Sequence, residues 1–467
     1  MNEENLNYIK SKLKDNVDVK YRTIESQNGE INLIFIDNLC DSKFISEYII
    51  GPIMRGKDFI KSVSDLESNA LLANSIGNVK DKQDMLLHIL SGDVVILTNF
   101  YDEIIFCEAK GYVRRSVAIP ITEQVIKGPR EGFTEAFVDN ISLIRRKAKN
   151  ADLKFESVYL GAKSQTVVVI VYLKGTTPDK LVDNVKKQIN DISTEYVLDS
   201  NYVEDKLRSK KTAFDTIGYS EKADIVVNHL FRGKVAVIVD GTPFVAIAPY
   251  FFYENFHMPD DYYLNKIVVN CTRVLRWLGF AISTFIPGIY ISIISYHVSL
   301  IPSVFVQRLA ISRSGVPFPT IVELILMMFF FQILREAGIR LPQPVGQAMS
   351  IVGALILGQS AVEAGLASEI TLIVVALSSI ASFLTPSLYG PISIWSVIIA
   401  IFSGFCGLPG FFAGVFILIG HVGSLKSVGY LYAFPIGTSR TIEHTDRVLR
   451  GDLDSADENI LQEEDLI

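Results

Sequence analysis

The chain has 467 residues and a formal net charge of −7. That length accommodates two or three domains, and the acidic balance argues against nucleic acid as a partner. Lys and Arg crowd the stretch up to Arg276 and vanish between Arg340 and Lys426, so a polar front is followed by an apolar back. Cys40, Cys107, Cys271 and Cys406 are scattered with no CxxC pair, a pattern that supports neither a metal site nor a disulfide framework. Reduced thiols fit a cytoplasmic head. The opening MNEENLNYIKSKLKDN lacks the apolar core of a signal peptide, which also leaves the head on the cytoplasmic side.

In chain order, residues 17–23 and 31–36 read as strands and 42–54 as a helix. A second helix over 82–90 stops at Gly92, where glycine suits a left-handed cap. A hairpin of 94–97 and 104–107 follows. The same order then recurs. Strands are expected at 153–160 and 167–173 and a helix at 178–189. A further helix at 223–231 stops at Gly233, and strand 235–239 turns at Asp240-Gly241 into 244–248. His88 and His229 both stand four residues before the terminating glycine, and the front half reads as two copies of one β-β-α…α-β-β unit. The two histidines invite a metal or acid–base reading. The simpler reading is interaction with a helix C-terminus, since no Asp, Glu or Cys clusters beside either at ligand spacing. No metal, cofactor or catalytic residue is expected, and no enzyme.

Between the copies, GPREGFTEAFVDNISLIRRKAKN (128–150) reads as a loop entering a helix near Glu131. Phe133, Phe137, Ile141 and Ile144 give it a core face. Arg145, Arg146 and Lys147 close it, either as a solvated end or as a docking point for a partner or anionic lipid.

A membrane span needs about 20 apolar residues. Residues 275–296 meet this, with Pro287-Gly288 inside and Arg273 and Arg276 at an entrance placed on the cytoplasmic side. Further apolar runs cover 320–334, 344–366 and 370–385. The run 392–425 is broken by Gly407-Leu408-Pro409-Gly410 and is read as a hairpin that returns Lys426, Arg440, Arg447 and Arg450 to the cytoplasm. Arg308 and Arg313 count against this scheme, and 301–312 is an interfacial or re-entrant helix instead. Arg335 and Glu336 mark an interface rather than a proton relay. The last 17 residues hold seven acids and no base and read as a solvated tail.

The 344–366 run carries two faces. Gly346, Ser350, Ala354, Gly358, Ala361 and Gly365 form a stripe of small residues that lets another helix approach closely. Beside it lie Gln347, Ile351, Leu355, Gln359 and Glu363. That face is polar at both ends and apolar in the middle, and such polar groups at membrane depth need water or a partner. One reading lines a water-filled path with it, Ile351 and Leu355 forming a constriction that gates by dewetting. The other has these groups hydrogen-bond within a tight bundle. The aromatic run Tyr250, Phe251, Phe252, Tyr253 and Phe256 suits an interfacial belt or a buried cluster in the head.

Several segments together resemble the A subunit of the GerA-type bacterial spore germinant receptors. They are GPREGFTEAFVDN…LIRRK (128–147), VDGTPFVAIAP (239–249), SRSGVPFPTIVE (312–323), ILREAGIRLPQPVGQAMSIVGALILGQSAVEAGL (333–366) and HVGSLKSVG (421–429). A sporulation protein that resembles this subunit is disfavoured by the Asp240-Gly241-Thr242-Pro243 turn. The resemblance implies a subunit of the spore inner membrane, partnered by a transporter-like B subunit and a lipoprotein C subunit. It would self-associate into a homo-oligomer, contact membrane lipid and pass monovalent cations on a nutrient signal. It departs in the second apolar run, where the family often has acids and this chain has Met328 and Gln332, so no acidic pore site is carried over there.

The expected fold is an α/β (α+β) soluble head of two similar subdomains, 1–127 and 128–260, followed by an all-α polytopic membrane domain. That domain covers 261–430 with about four to six spans, and 431–467 is a polar acidic cytoplasmic tail. The rival functions are a secondary transporter, against which no inverted repeat is evident, a membrane enzyme, and a non-conducting scaffold.

Overall fold

The structure, a computed structural model, describes residues 2–56, 60, 62, 65–66, 71–72, 75–111, 123, 125–209, 212–342, 353, 356–435, 446–452, 461 and 463–466. Two five-stranded sheets make the head. The first contains β1 (Val19–Ser26), β2 (Gly29–Ile36), β3 (Ile76–Asn78), β4 (Asp93–Thr98) and β5 (Ile105–Glu108). The second contains β6 (Leu153–Leu160), β7 (Thr166–Leu173), β8 (Gly218–Ser220), β9 (Val235–Val239) and β10 (Val245–Ala248). Their orders are β1-β2-β4-β5-β3 and β6-β7-β9-β10-β8, the same arrangement used twice. Every pairing in both is antiparallel.

The central strands β4 and β9 are buried along their whole length, which is why VVIL and VAVIV run apolar without alternation. Helices cover both faces of each sheet. In the second unit, Leu181, Val185 and Ile189 of the Asp179–Asn190 helix pack on Val168, Ile170 and Val237. Ile141 and Ile144 with Val226 and Leu230 pack on Val169, Val171 and Ile238 opposite. In the first unit, Met85 and Ile89 of the Lys82–Leu90 helix cover Ile34 and Val95, and Ile45, Ile49 and Ile53 cover Leu33, Val94 and Ile96.

One helix starts later than its apolar spacing predicts. The chain enters it at Phe137, not near Glu131, and it ends at Lys147. Asn140 explains the delay. Its amide donates to Thr134 O at 2.7 Å and accepts from Thr134 N at 2.8 Å, holding 131–136 as a loop while Phe133 reaches the core from it. The basic end of this helix is not wholly solvated either. Arg145 is fully buried and its Nε donates to Asp18 Oδ2 at 3.1 Å. Its NH2 donates to Asn16 Oδ1, also at 3.1 Å. The guanidinium therefore ties the second unit to the first, and only Arg146 and Lys147 remain at the surface, beside Glu131.

The apolar back half is a helical bundle. Two of its helices, Lys266–Tyr296 and Pro386–Ser424, are long and apolar enough to cross a membrane. The second is a hairpin of two arms, reversing at Gly407 with φ 63° and ψ −140°. A Cβ on Gly414 would sit 3.3 Å from Ile399 Cα, and the Trp395 and His421 rings are 5.3 Å apart, so the arms lie closely antiparallel. Further described helices include Ser303–Arg313, which buries no residue, Thr320–Arg340 and Glu369–Ser382, and residues 356–363 are helical too. Side-chain contacts fix their directions. Tyr290 bonds Thr371 at 2.7 Å at one end, and Gly279 abuts Ala381 and Leu384 at the other. Glu323 accepts from Ser368 N at 2.5 Å, while Arg335 donates to Ser382 at 3.5 Å. The bundle thus has a head end, near residues 276, 335, 382 and 386, and a far end, near 296, 323, 368 and 407. Arg313, an awkward cation for the outer loop, lies at the far end 3.9 Å from the buried Glu323.

After the hairpin the chain returns to the head. Lys426–Ser427 pairs with Tyr430–Leu431 across a turn with Val428 and Gly429 at positive φ. Tyr430, Phe434 and Leu461 join the core of the second unit. The segment 431–467, expected as a polar acidic tail, thus packs in part on the head, and Leu461 does so from within the last 17 residues that read as solvated. Tyr432, Phe434, Asp446, Arg447, Arg450 and Leu461 are buried, because alternate aromatics and paired charges find sites prepared for them on the head.

Candidate functional site

The head, the first long helix and the carboxy-terminal segment meet at one buried cluster of charges. Pro259–Tyr262 forms a 3-10 turn, and Asp261 caps it by accepting from Met258 N at 3.1 Å. The same carboxylate faces the helix that starts at Lys266. Arg273 Nε donates to its Oδ2 at 2.9 Å, and Arg276 grips both oxygens at 2.8 and 2.9 Å. The spacing of the arginines, three apart, places both on the helix face turned to Asp261. Arg273 is fully buried and Asp261 is 1% exposed.

Asp446 completes the cluster from the far end of the chain. Its Oδ1 accepts from Arg273 NH1 at 2.8 Å, and its Oδ2 accepts from Arg232 NH2 and Tyr262 OH, each at 2.8 Å. Arg232 closes the Ala223–Phe231 helix of the head. One carboxylate therefore bridges a head helix, the linker and the first long helix. Arg450 donates to the carbonyls of Asp261 and Leu264 at 2.7 and 2.8 Å, and His257 Nε2 meets Arg447 O at 2.8 Å.

Burial pushes both carboxyls upward, but their cationic neighbours outweigh it. Asp261, gripped by Arg276 and Arg273, and Asp446, beside His257, Arg273 and Arg232, are both held below the usual carboxylate range. Burial, helped by the Arg273 charge, lowers His257 to about 4. His229 is likewise held well below its ordinary value by burial and by Lys234 and Arg232. Both rings are neutral at pH 7, so the cluster's cations are the arginines.

Aromatic packing surrounds the charges. Phe256 stacks on Trp277 with ring centroids 3.7 Å apart, and Phe252 meets Trp277, Phe280 and Tyr432 edge-on. The 250–256 aromatics are thus a buried cluster joining head to helix, not a lipid-facing belt; Phe251, Tyr253 and Phe256 are all buried. Beside the cluster lies a cavity of about 380 Å³ bounded by His229, Arg232, Tyr250 and His257 of the head and linker and by Arg276 and Pro386 of the bundle.

His88 and His229 do not meet as a pair. His88 bonds Asp93 at 2.7 Å and stacks on Phe106 in the first unit, while His229 lies 3.9 Å from Glu254 in the second. Of the face read as pore-lining, Gln347, Ile351 and Leu355 lie outside the described residues, as do Gly346, Ser350 and Ala354 of the small-residue stripe. Gln359 and Glu363 are exposed and bonded to each other at 2.9 Å. Gly358 and Ala361 are buried, Gly358 against Leu372. Gly365 departs from the stripe. It has φ +69° and packs on Gly315 O, ending the helix rather than lining it, a role glycine fills without a Cβ penalty.

Sequence reasoning missed Asp261, Asp446 and Arg232. Arg273 and Arg276 ahead of an apolar run read as a topology signal, yet two arginines on one helix face also require carboxylates when buried. The nearest acid upstream, Asp261, could have been found on that ground.

The chain matches the Bacillus/Clostridium GerA spore germination protein family over residues 7–459. It is 35% identical over 441 residues to spore germination protein KA of Bacillus subtilis (strain 168), covering 93% of this chain and 81% of that protein. It is 33% identical over 438 residues to the uncharacterized membrane protein YfkQ of the same organism, covering 93% and 85%. Among solved structures it is similar to the N-terminal domain of the A subunit of the Bacillus megaterium spore germinant receptor GerK3. That match has 25% identity and a TM-score of 0.40, and covers 54% of this chain and 95% of that one. With nearly its whole length matched and relatives above 30% identity, the chain belongs to the GerA spore germination protein family.

Proposed function

We propose that this protein is the A subunit of a nutrient germinant receptor, a non-enzymatic subunit that self-associates in the spore inner membrane as a nutrient-gated monovalent cation channel. Its head faces the cytoplasm, and B and C subunits complete the receptor. The family match carries the receptor reading. The antiparallel bundle supports the membrane reading: the two hairpin arms, the first long helix, Thr320–Arg340 and Glu369–Ser382 supply five passes, and the apolar run 344–366 read from the sequence would be a sixth. The conducting face is Gln347, Ile351, Leu355, Gln359 and Glu363. In its favour, Gln359 and Glu363 point away from the bundle while Gly358 and Ala361 pack into it, leaving a polar edge for another copy to meet across water. The Asp261–Asp446 cluster is the transmission point, since a shift of the head cannot leave the first long helix behind without parting buried ion pairs.

The test is potassium flux through the full chain reconstituted in liposomes, wild type against Leu355→Ser. A constriction made polar hydrates, so the variant leaks at rest. No leak from a folded, inserted Leu355→Ser protein overturns the gate.

A further inference from the structure

A second cleft, of about 310 Å³, lies at the head end of the bundle between Thr320–Arg340, Glu369–Ser382 and the first arm of the hairpin. Arg335 is its polar centre. The guanidinium lies over the Tyr389 ring, 3.0 Å from the centroid, with Phe383 on another side at 4.8 Å. The Tyr389 hydroxyl donates to Gln332 Oε1, which holds the ring in place as a platform. Arg335 also donates to Ser382 Oγ at 3.5 Å. No carboxylate comes within ion-pair distance of it among the described residues, whereas Arg340, one turn and a half further on, pairs with Glu336 at 2.5 Å.

Within the bundle helices the sequence offers few acids to partner it. No Asp or Glu occurs between Glu323 and Glu336, between Glu336 and Glu363, or between Glu369 and Glu443. Glu336 is taken by Arg340, and Glu323 lies at the far end with Arg313. A partly desolvated guanidinium with about four N–H donors to spare therefore lacks an anion among the described residues. In the same cleft the Ser379 hydroxyl has no partner among the described residues, while Ser378, Ser382, Ser393 and Ser396 donate to backbone carbonyls. Ser283 apart, the rest of the lining is apolar, with Ile325, Met328 and Phe329 leading away from Arg335. Phe329 and Phe383 are exposed on the bundle surface.

One polar end that wants an oxyanion and one apolar slot open to the side describe a site for an anionic amphiphile. We propose that this cleft binds an anionic phospholipid. Its phosphodiester sits on Arg335 and Ser379 and one acyl chain lies along Met328 and Phe329. Free phosphate fits the charge but leaves the apolar slot empty. The site stands at the level of Arg276 and Arg340, where headgroups lie. The inference rests on the membrane placement proposed above, and not on conduction or nutrient sensing.

The test uses the purified full chain in mild detergent, with phosphatidylglycerol and phosphatidylcholine as competing probes read by native mass spectrometry. Both lipids carry the phosphodiester, but phosphatidylcholine also brings a quaternary ammonium beside the guanidinium, so wild type should retain phosphatidylglycerol about tenfold over phosphatidylcholine. Arg335→Gln should lose that preference, Arg335→Lys keep part of it, and Arg340→Gln leave it unchanged. Millimolar inorganic phosphate should not displace the lipid. Equal retention of the two lipids by wild type overturns the proposal, as does an Arg335→Gln protein that keeps the preference, or displacement by inorganic phosphate. Should Arg335→Gln fail to fold, the wild-type preference and the Arg335→Lys protein decide. Membrane placement fails separately: a Phe329→Cys protein in vesicles would then react with an impermeant thiol reagent.

Discussion

Ser378 donates its hydroxyl hydrogen to the backbone carbonyl of Ser283 at 2.8 Å. That carbonyl is the one left without an N–H when Pro287 occupies the position four residues on. A neighbouring helix thus supplies the donor that the proline withholds, in a bundle where water is scarce. Replacing Ser378 with Ala should destabilise the purified protein by about 1–3 kcal/mol, the cost of a buried acceptor left unmet. Adding Pro287→Ala should return much of the loss by restoring the N–H. Thermal unfolding of the two single variants and the double variant reads the coupling, and strict additivity would exclude the relationship.

Asp446 is the one acid shared by Arg232 and Arg273 among the described residues. Asp446→Ala leaves both guanidiniums buried beside an empty place, and a loss of about 3–5 kcal/mol is expected. Limited proteolysis should cut the 426–452 region faster in this variant. An unchanged digestion pattern would mean the carboxy-terminal segment is held by its aromatics alone.

Acid should loosen the junction through its histidines before its carboxylates. A histidine whose folded pKa is depressed binds fewer protons folded than unfolded, so stability falls as pH drops below the unfolded value. For His257 that window runs from about 6.5 down to about 4. Asp261 and Asp446 are shifted the other way relative to their charge state. Their contribution holds above the unfolded carboxylate value and is lost only as pH falls through the still lower folded pKa. The melting temperature should therefore decline between pH 6.5 and 4, and His257→Asn should flatten that decline.

Arg145 and its neighbour Arg146 should part company on mutation. Arg145→Ala strands Asp18 in the interface between the two head units, at a cost of about 3–5 kcal/mol. Arg146→Ala loses only a surface pair with Glu131 and should stay within about 1 kcal/mol. Urea unfolding of both variants separates the two outcomes.

Gly407→Ala addresses the hairpin. Its φ of 63° with ψ of −140° is a conformation that side chains other than hydrogen rarely adopt, costing about 1–3 kcal/mol. A Cβ there would also lie 3.0 Å from the Tyr296 side chain. A loss of thermal stability in that range is expected, read on the purified chain.

The strands and helices of the head are legible because their signals are local. Continuous Val and Ile runs mark β4 and β9, and Gly92 and Gly233 stop their helices at positive φ. The hairpin break at Gly407 is legible for the same reason. What cannot be read locally is where a charged side chain ends up. Arg145, Arg146 and Lys147 look alike in sequence, and only the arrival of Asp18 from the other unit singles out the first. Gly365 looks like one more small residue at helical spacing, since the same lack of a side chain serves both a close helix approach and a helix end. The acidic composition of the last residues conceals Leu461, and nothing near Asp446 announces the two arginines it reaches.

The return of residues beyond 425 to the head also bears on the order in which the molecule can be completed. The core of the second unit includes Tyr430, Phe434 and Leu461, which are synthesised only after the whole helical bundle. The head therefore waits, unfinished, with an open seam until those residues emerge. A nascent chain stalled in the bundle would leave that seam open to proteases.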